Sequence, residues 1–242
     1  MKSIVDKLCI CTYNLLFRNA KKISLKNYTK FSSEFVRDIN NTIHFMEPAV
    51  NECDDKECYR KLIKGIDDSI NESEEKFGIR SVCKKGCYYC CKEKISITDS
   101  EWVFIKKAIQ KLSNSVKIGI KSKAANIVDV LNKVNMQFDF NLINDYDKFK
   151  EFDEKEYNKK YLELNLRCPL LNDVNTCLIY DSRPLTCVMY RNYGLRIDCK
   201  YHKGINTYNF QEYSIWGEYF LQVKSKPTER IRLLVNWICD EL

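Results

Sequence analysis

The chain has 242 residues, 45% of them hydrophobic, and 40 Lys and Arg against 33 Asp and Glu give it a formal net charge of +7. A chain of this size can bury a core unaided, and its 7 glycines and 4 prolines predict a helix-rich fold and exclude many-stranded sandwiches and linker-like chains. The glycines are also too widely spaced for the loops that bind dinucleotides or nucleotide phosphates.

The positive charge is spread along the chain and alternates with acidic residues. This pattern indicates a solvated surface, so we expect no nucleic-acid partner. No apolar run reaches the ~18 residues of a membrane span. The apolar segment 8–17 lacks a cleavage site of small residues and is followed by Arg18, Lys21 and Lys22, which favours an amphipathic helix over a signal peptide. We therefore expect a cytoplasmic protein without a membrane partner.

Residues 1–80 are expected to form a helical N-terminal region. Two apolar stripes with helical spacing support this expectation, and each predicts a packing face. The first stripe consists of Phe31, Phe35, Ile39 and Ile43, and the second of Tyr59, Leu62, Ile63, Ile66, Ile70 and Phe77.

The first cysteine block, CKKGCYYCC, contains Cys83, Cys87, Cys90 and Cys91. Spacings of four and three place thiols on one side of a helix, whereas Gly86 would allow a loop around a metal centre. Either backbone brings the sulfurs together. Adjacent Cys90 and Cys91 diverge in both helices and strands, so one of them is expected to serve a second centre or to lie behind the first.

After this block, the segment 95–98 alternates as a short strand does, and Thr98 to Glu101 form a capping box at the start of a helix. This helix opens a predicted helical insert at 100–165. The insert has three apolar faces with helical spacing: Trp102, Ile105, Ile109 and Leu112; then Ala124, Ile127, Val128, Leu131 and Val134; then Tyr146, Phe149, Phe152, Tyr157 and Tyr161.

The second cysteine block begins with a predicted hairpin. Residues 172–175 have the composition of a turn between two short apolar segments, so Cys168 and Cys177 should meet across it. A helix follows, for which Asp181 or Ser182 can provide the N-cap. Pro184 would then lie in its first turn and Cys187 one turn in.

The C-terminal region, residues 205–242, is expected to consist of helices. Pro227 lies near a predicted helix start. One apolar face follows it and consists of Ile231, Leu234, Trp237 and Ile238.

Thirteen cysteines in a chain without an export signal indicate reduced thiols that bind metal rather than a disulfide framework. Arg183 and Arg191 are expected to lie nearby as cations or as hydrogen-bond donors to sulfur. Five cysteines outside the two blocks are expected to be small buried hydrophobic residues and not metal ligands: Cys9, Cys11, Cys53, Cys58 and Cys239. The predicted metal ligands are Cys83, Cys87, Cys90, Cys91, Cys168, Cys177 and Cys187.

The spacing leaves the metal open, because thiolate suits both zinc and iron–sulfur clusters. Seven candidates exceed one four-ligand site and fall short of two all-cysteine sites. A site with an open coordination position is one solution, and Cys199 or His202 as an eighth ligand is another. A metal that only supports folding is also compatible with the spacing.

The ordered set of motifs resembles the cysteine-cluster family of zinc- or iron-chelating domains that is named for a CxxCxxCC-like motif. The resemblance covers roughly residues 81–194. It rests on CKKGCYYCC, ISITDSE, CPLL, CLIY, the Arg183-Pro184 pair, Cys187 and Tyr190, in that order.

The resemblance implies that both blocks form one metal-binding domain, at 81–204, within a mainly α fold that has a small β-hairpin. Flagellin lysine N-methylases contain a similar domain, which implies a lysine methyltransferase that uses S-adenosylmethionine on a protein substrate such as flagellin. No catalytic residue follows from it. The alternatives are a non-catalytic zinc-binding interaction module and an iron–sulfur redox protein. Tyr180, Tyr190 and Tyr193, close to the second block, are the aromatic candidates for holding a sulfonium cofactor.

Overall fold

The computed structural model describes residues 55–77, 80–83, 85–141, 144–192, 199, 207–208 and 230–242. These residues are mainly helical with small antiparallel sheets, which confirms the predicted fold class. The helices are α1 (Asp55–Phe77), α2 (Asp99–Gln110), α3 (Asn114–Lys133), α4 (Tyr146–Glu151), α5 (Glu154–Glu163), α6 (Leu185–Met189) and α7 (Leu234–Glu241). The strands are β1 (Ser96–Thr98), β2 (Asp139–Asn141), β3 (Arg191–Asn192), β4 (Thr207–Tyr208) and β5 (Arg230–Leu233).

A three-stranded antiparallel sheet in the order β1–β5–β2 ties the C-terminus to the middle of the chain. Ile97 pairs with Arg232, and Phe140 pairs with Ile231. The prediction that Ile231 belongs to a C-terminal helix is therefore wrong. The segment Arg-Ile-Arg-Leu alternates polar and apolar residues, and strands on both sides satisfy its backbone groups. The helix begins only afterwards, at Leu234.

Helices α1 and α3 bury most described members of their predicted stripes, whereas Tyr146 of the aromatic stripe is 58% exposed. On α1 the buried residues include Tyr59, Ile63, Ile66 and Ile70, and on α3 they are Ile120, Ala124, Ile127 and Leu131. Val134 does not extend the α3 stripe, since it lies after the helix end and is 47% exposed. The left-handed backbone of Asn135 (φ 53°) turns the chain away at that point.

The aromatic part of the insert forms two helices rather than one. The chain is extended at Phe152, between α4 and α5, and the Asp153 carboxylate caps α5 by accepting the Glu156 N–H at 2.9 Å. This break lets the ring of Phe152 pack edge-on against Phe138, with ring centroids 5.3 Å apart. The insert also contains strand β2, where the sequence predicted helices alone.

The core joins α2, α3 and α7. Trp237 of α7 stacks on Trp102 of α2 at 6.1 Å, and its indole N–H donates to the Ile97 carbonyl at 3.3 Å. The Thr98 half of the predicted capping box is present, because the Glu101 N–H donates to Thr98 Oγ1 at 3.3 Å.

The buried Glu101 carboxylate connects three helices. Its Oε1 accepts the Tyr59 hydroxyl of α1 at 3.0 Å and the Leu185 N–H of α6 at 2.6 Å. Buried charge-assisted hydrogen bonds of this kind fix the relative positions of the helices, because losing one partner leaves the other buried without a hydrogen bond. Glu101 thereby holds α6, which carries Cys187, against α1 and α2.

Several predictions lie outside the described residues. They concern the segment 8–17 and the stripe from Phe31 to Ile43 in the N-terminal region, Pro227, and the residues Cys9, Cys11, Cys53, Tyr193 and His202. Within 205–242 the structure contains the strands β4 and β5 in addition to α7, where helices alone were expected. Among the described helices, none combines the length and apolar content that crossing a bilayer requires.

Candidate metal centre

A cavity of about 180 Å³ lies between the two cysteine blocks. Every predicted metal ligand lines it, and each of these thiols is free and partly buried. Two blocks that are far apart in the chain thus meet at one place. The cysteines of the cavity wall are Cys83, Cys87, Cys90, Cys91, Cys168, Cys177 and Cys187.

The first block reaches the cavity as a loop with one 3₁₀ turn, Tyr89–Lys92, rather than as an α-helix. Gly86 adopts a left-handed backbone (φ 86°), which a side chain would strain. The loop alternative of the sequence interpretation is therefore the one that the structure adopts. It places both Cys90 and Cys91 on the cavity wall.

The second block contains the predicted hairpin. Leu171 and Cys177 form an antiparallel bridge, and the Asn172 side-chain oxygen accepts the N–H groups of Val174 and Thr176 at 3.1 and 2.8 Å. Asn175 completes the turn with a left-handed backbone (φ 62°). Cys168 and Cys177 therefore line the same cavity from the two arms of the hairpin.

The helix that carries Cys187 begins later than predicted. Asp181 and Ser182 belong to a separate 3₁₀ turn, Tyr180–Ser182, and neither of them caps α6. Pro184 is itself the N-cap residue, because its extended backbone (ψ 144°) delays the helix until Leu185. Cys187 consequently lies in the first turn of α6.

Backbone hydrogen bonds connect the two blocks directly. The Cys168 N–H donates to the Cys91 carbonyl at 2.7 Å, and the Val82 N–H donates to the Asn192 carbonyl at 2.8 Å. These bonds fix the relative position of the blocks whether or not a metal is bound.

Burial disfavours the charged form of most of these thiols. It raises the pKa of Cys83 to about 11 and the pKa of Cys168 to about 12. It also raises the pKa of Cys187 and Cys177, and at Cys187 repulsion from neighbouring thiolates adds to the effect. The pKa of Cys90 is also raised, mainly by a hydrogen bond with the Cys91 side chain and next by burial. Without metal, these thiols hold their protons at neutral pH.

The cavity has a polar wall beside the thiols, which includes Glu93, Lys94, Glu154 and Asn158. Burial lowers the pKa of Lys94, whose ammonium pairs with Glu154 at 2.8 Å and lies 4.0 Å from the centre of the Phe138 ring. Burial raises the pKa of Glu93. The cavity is therefore lined by ionisable oxygen and nitrogen groups as well as by thiols.

Arg183 and Arg191 line the cavity as expected, and both pair with Asp67 of α1. Asp67 was not among the site residues predicted from the sequence. A signal was present, because Asp67 falls on the apolar stripe between Ile63 and Ile70 at helical spacing, where a charge needs a buried partner. Nothing in the pattern identified that partner.

Of the two proposed eighth ligands, Cys199 belongs to the described residues and does not line the cavity. Cys199 lies close by, since its sulfur accepts the Asn192 side-chain N–H at 2.7 Å, while the Asn192 backbone N–H donates to Cys83 Sγ at 3.2 Å. Asn192 thus bridges Cys199 to the cavity wall. His202 lies outside the described residues.

The donor set suits zinc or iron, because thiolates bind both. Among the described residues, no three His, Cys, Asp or Glu side chains surround one point closely enough to hold an ion as they stand. The cysteines line the cavity without forming a closed ligand set. Binding a metal therefore requires their side chains to turn toward a common point, which for cysteine is rotation about a single bond.

Residues 131–213 match the family model CxxCxxCC, described as "Putative zinc- or iron-chelating domain". The matched range contains the whole second block and Cys199, whereas the first block precedes it. The range predicted from the motifs, 81–194, overlaps it only in part. No curated protein and no solved structure matches the chain.

Metal affinity is expected to rise with pH. The raised pKa values mean that neutral thiols must lose protons when metal binds, and loss becomes easier as pH approaches those values. Competition with a chromophoric chelator for Zn²⁺ at about pH 6, 7 and 8 measures this dependence. Proton release, from calorimetry in buffers of different ionisation enthalpy, checks the cause. An affinity that does not change with pH would exclude these thiols as ligands.

Cys187→Ala is expected to remove most of the bound metal, because Cys187 lines the cavity and its loss takes one thiolate ligand from the set. Cys239→Ala is the matched control, since Cys239 lies on α7 and does not line the cavity. The control should retain metal and lose about 1 kcal/mol of stability. Cys9→Ala, outside the described residues, should behave as the control does. Metal analysis and thermal unfolding of the variants test this, and equal results would show that the ligands are misassigned.

Proposed function

We propose that this protein holds an iron–sulfur cluster in the cavity between its cysteine blocks, and the match of residues 131–213 to the family model of zinc- or iron-chelating domains supports metal binding there. The observation that carries the proposal is the convergence of seven thiols on one cavity. Cysteine thiolates are the usual ligands of such clusters. The bound cluster would supply redox or Lewis-acid chemistry to the site.

The number of thiols and the size of the cavity support a cluster over a single zinc ion. Structural zinc sites are closed by four ligands, and seven thiols exceed that number. A cavity of about 180 Å³ is also larger than a lone ion needs. For comparison, a cavity of ~150 Å³ holds a whole benzene molecule. Four of the seven thiols would hold the cluster, and the others would line its surroundings.

The described residues supply the rest of the site. The backbone bond between Cys168 and Cys91 holds the two walls together, and burial of the thiols limits access of water. Arg183 and Arg191 offset negative charge at the thiol wall. These features orient the ligands and reduce the cost of collecting thiolates in one place.

Protein purified without air is expected to be brown, with broad sulfur-to-iron charge-transfer absorbance, and to contain iron and acid-labile sulfide. Analysis of iron, sulfide and zinc in the same sample measures this. The Cys187→Ala variant, prepared in parallel, should lose the absorbance, whereas Cys239→Ala should keep it. A colourless preparation with stoichiometric zinc and no sulfide would favour the zinc-binding module instead.

A second candidate function is methylation of protein lysine with S-adenosylmethionine, which the resemblance to flagellin lysine N-methylases suggests. The supporting observation is that Tyr180 and Tyr190 line the same cavity as the thiols. A sulfonium is attracted to aromatic faces as ammonium ions are. The neutral lysine nitrogen would bond to the methyl carbon while the bond between that carbon and the sulfonium sulfur breaks. S-adenosylhomocysteine and a proton would be released.

The two tyrosines are not equivalent in this role. The Tyr180 ring already faces two cations, the Arg183 guanidinium at 4.1 Å and the Lys85 ammonium at 5.1 Å from its centre. A third cation on that ring would be repelled. Tyr190, whose hydroxyl donates to Glu93 at 3.4 Å, is therefore the ring that we assign to the sulfonium.

Tyr190→Leu should weaken S-adenosylmethionine binding to the reconstituted protein by about 3- to 30-fold, the worth of one cation–π contact. Tyr190→Phe keeps the ring and should bind almost as the wild type does. Tyr146→Leu, at an exposed position, is the control. Calorimetry measures binding, and mass spectrometry of a co-expressed lysine-rich protein such as flagellin detects added methyl groups. Absence of both binding and methyl groups would leave only the metal-binding proposal.

A further inference from the structure

Asp67 is a carboxylate of α1 that pairs with both arginines of the cavity. Arg183 Nη2 lies 3.1 and 2.9 Å from its two oxygens, and Arg191 Nη2 lies 2.5 Å from Oδ1. The arginines are 116 and 124 residues away in the chain. Asp67 therefore joins a helix outside both cysteine blocks to the block-two side of the cavity.

Both arginines are held firmly where they line the cavity. Their side chains are only 8% and 13% exposed, and the Arg183 guanidinium also donates to the Tyr180 carbonyl at 3.2 Å. One carboxylate faces two guanidinium groups, so this cluster has a net charge of +1. A fixed positive charge at the cavity wall suits an anionic occupant.

Arg191 presents a hydrogen-bond donor that has no acceptor among the described residues. Its Nε is buried and unpartnered, while its Nη2 is used by Asp67. The next residue, Asn192, donates its backbone N–H to Cys83 Sγ, so Arg191 lies one residue away from a contact with a cavity thiol. A buried N–H group without an acceptor is rare in proteins and points to an acceptor that the site receives.

We propose that Asp67 is a positioning residue for the metal centre, and that it acts by holding Arg183 and Arg191 so that the Arg191 Nε–H donates to sulfur of the metal–thiolate group. The inference rests on the proposed metal binding, and it applies to a zinc–thiolate site and to an iron–sulfur cluster alike. Both groups are anionic and carry sulfur acceptors.

A carboxylate is required at position 67 because two buried guanidinium groups repel each other without one. Asp67 offsets that repulsion and takes up Nη donors of both arginines, which leaves the Arg191 Nε for the cavity. An amide at this position would bring no charge. The arginines would then turn toward solvent, and the cavity would lose both its positive charge and its donor.

The test compares Asp67→Asn with Asp68→Asn, its exposed neighbour on the same helix. Co²⁺ and Zn²⁺ affinities are measured by chelator competition, and Co²⁺–thiolate absorbance reports the geometry of the site. Asp67→Asn is expected to weaken metal binding about 10- to 100-fold and to alter the Co²⁺ spectrum, as loss of groups that orient metal ligands does. Asp68→Asn should change neither quantity.

A double-mutant cycle shows whether Asp67 acts through the arginine. The effect of Asp67→Asn on metal affinity should shrink in an Arg191→Met background, because the group that Asp67 positions is then absent. Arg191→Lys keeps the charge without the planar fork and should bind metal better than Arg191→Met and worse than the wild type. Arg60→Met, exposed on α1, is the control for loss of an arginine.

Circular dichroism of the metal-free variants shows whether each one folds. If Asp67→Asn unfolds, the comparison of Arg191→Lys with Arg191→Met decides. Equal affinities for Asp67→Asn and Asp68→Asn, or additive effects in the cycle, would overturn the inference while the metal-binding proposal stands. A wild-type chain that binds no metal would overturn both.

Discussion

Seven partly buried thiols line one cavity, and the charge that they would carry as thiolates is the constraint on which the rest of the structure depends. Burial raises the pKa of Cys83 and Cys168 far above neutrality, so the protein alone keeps these thiols protonated. A bound metal cation removes that barrier, and the guanidinium groups of Arg183 and Arg191 supply further positive charge at the wall. Asp67 keeps those cations in place.

The fold meets this constraint by collecting distant segments around the cavity. The Cys168 N–H to Cys91 carbonyl bond joins the blocks, and the C-terminal strand β5 lies between the strand that follows block one and the strand of the insert. Glu101 adds a third connection, because its carboxylate binds both α1 and α6. The helical insert is therefore part of the scaffold of the site and not a separate appendage.

The cavity extends beyond the part of the chain that matches the family. The match covers 131–213, whereas the first cysteine block and the helix with Asp67 precede it. Four of the seven cavity thiols and the carboxylate that anchors the arginines come from these earlier residues. The unit that would hold a metal is thus larger than the matched domain, and its charge balance depends on a helix that carries no described thiol of the cavity wall.

Local sequence patterns were sufficient to locate the helices and to predict metal binding by thiols. The 3.6-residue stripes located α1, α2 and α3, the Thr98 cap began α2 where predicted, and the turn at 172–175 produced the hairpin. The thirteen cysteines and their two blocks identified thiol-based metal binding, which the family match supports. These features depend on neighbours within a few residues, so the chain itself carries the information.

Long-range contacts decided what the patterns could not. Ile231 fits a helical face as well as a strand, and only the pairing of β5 with β1 and β2 selects the strand. The choice of Asp67 as partner for two arginines more than a hundred residues away has no local signature either. The sequence by itself determined the helices, the hairpin and the thiols. The resemblance already implied that the two cysteine blocks form one domain. The tertiary structure alone decided which carboxylate anchors the arginines of the cavity, because ion pairs between distant segments form only once the core has packed.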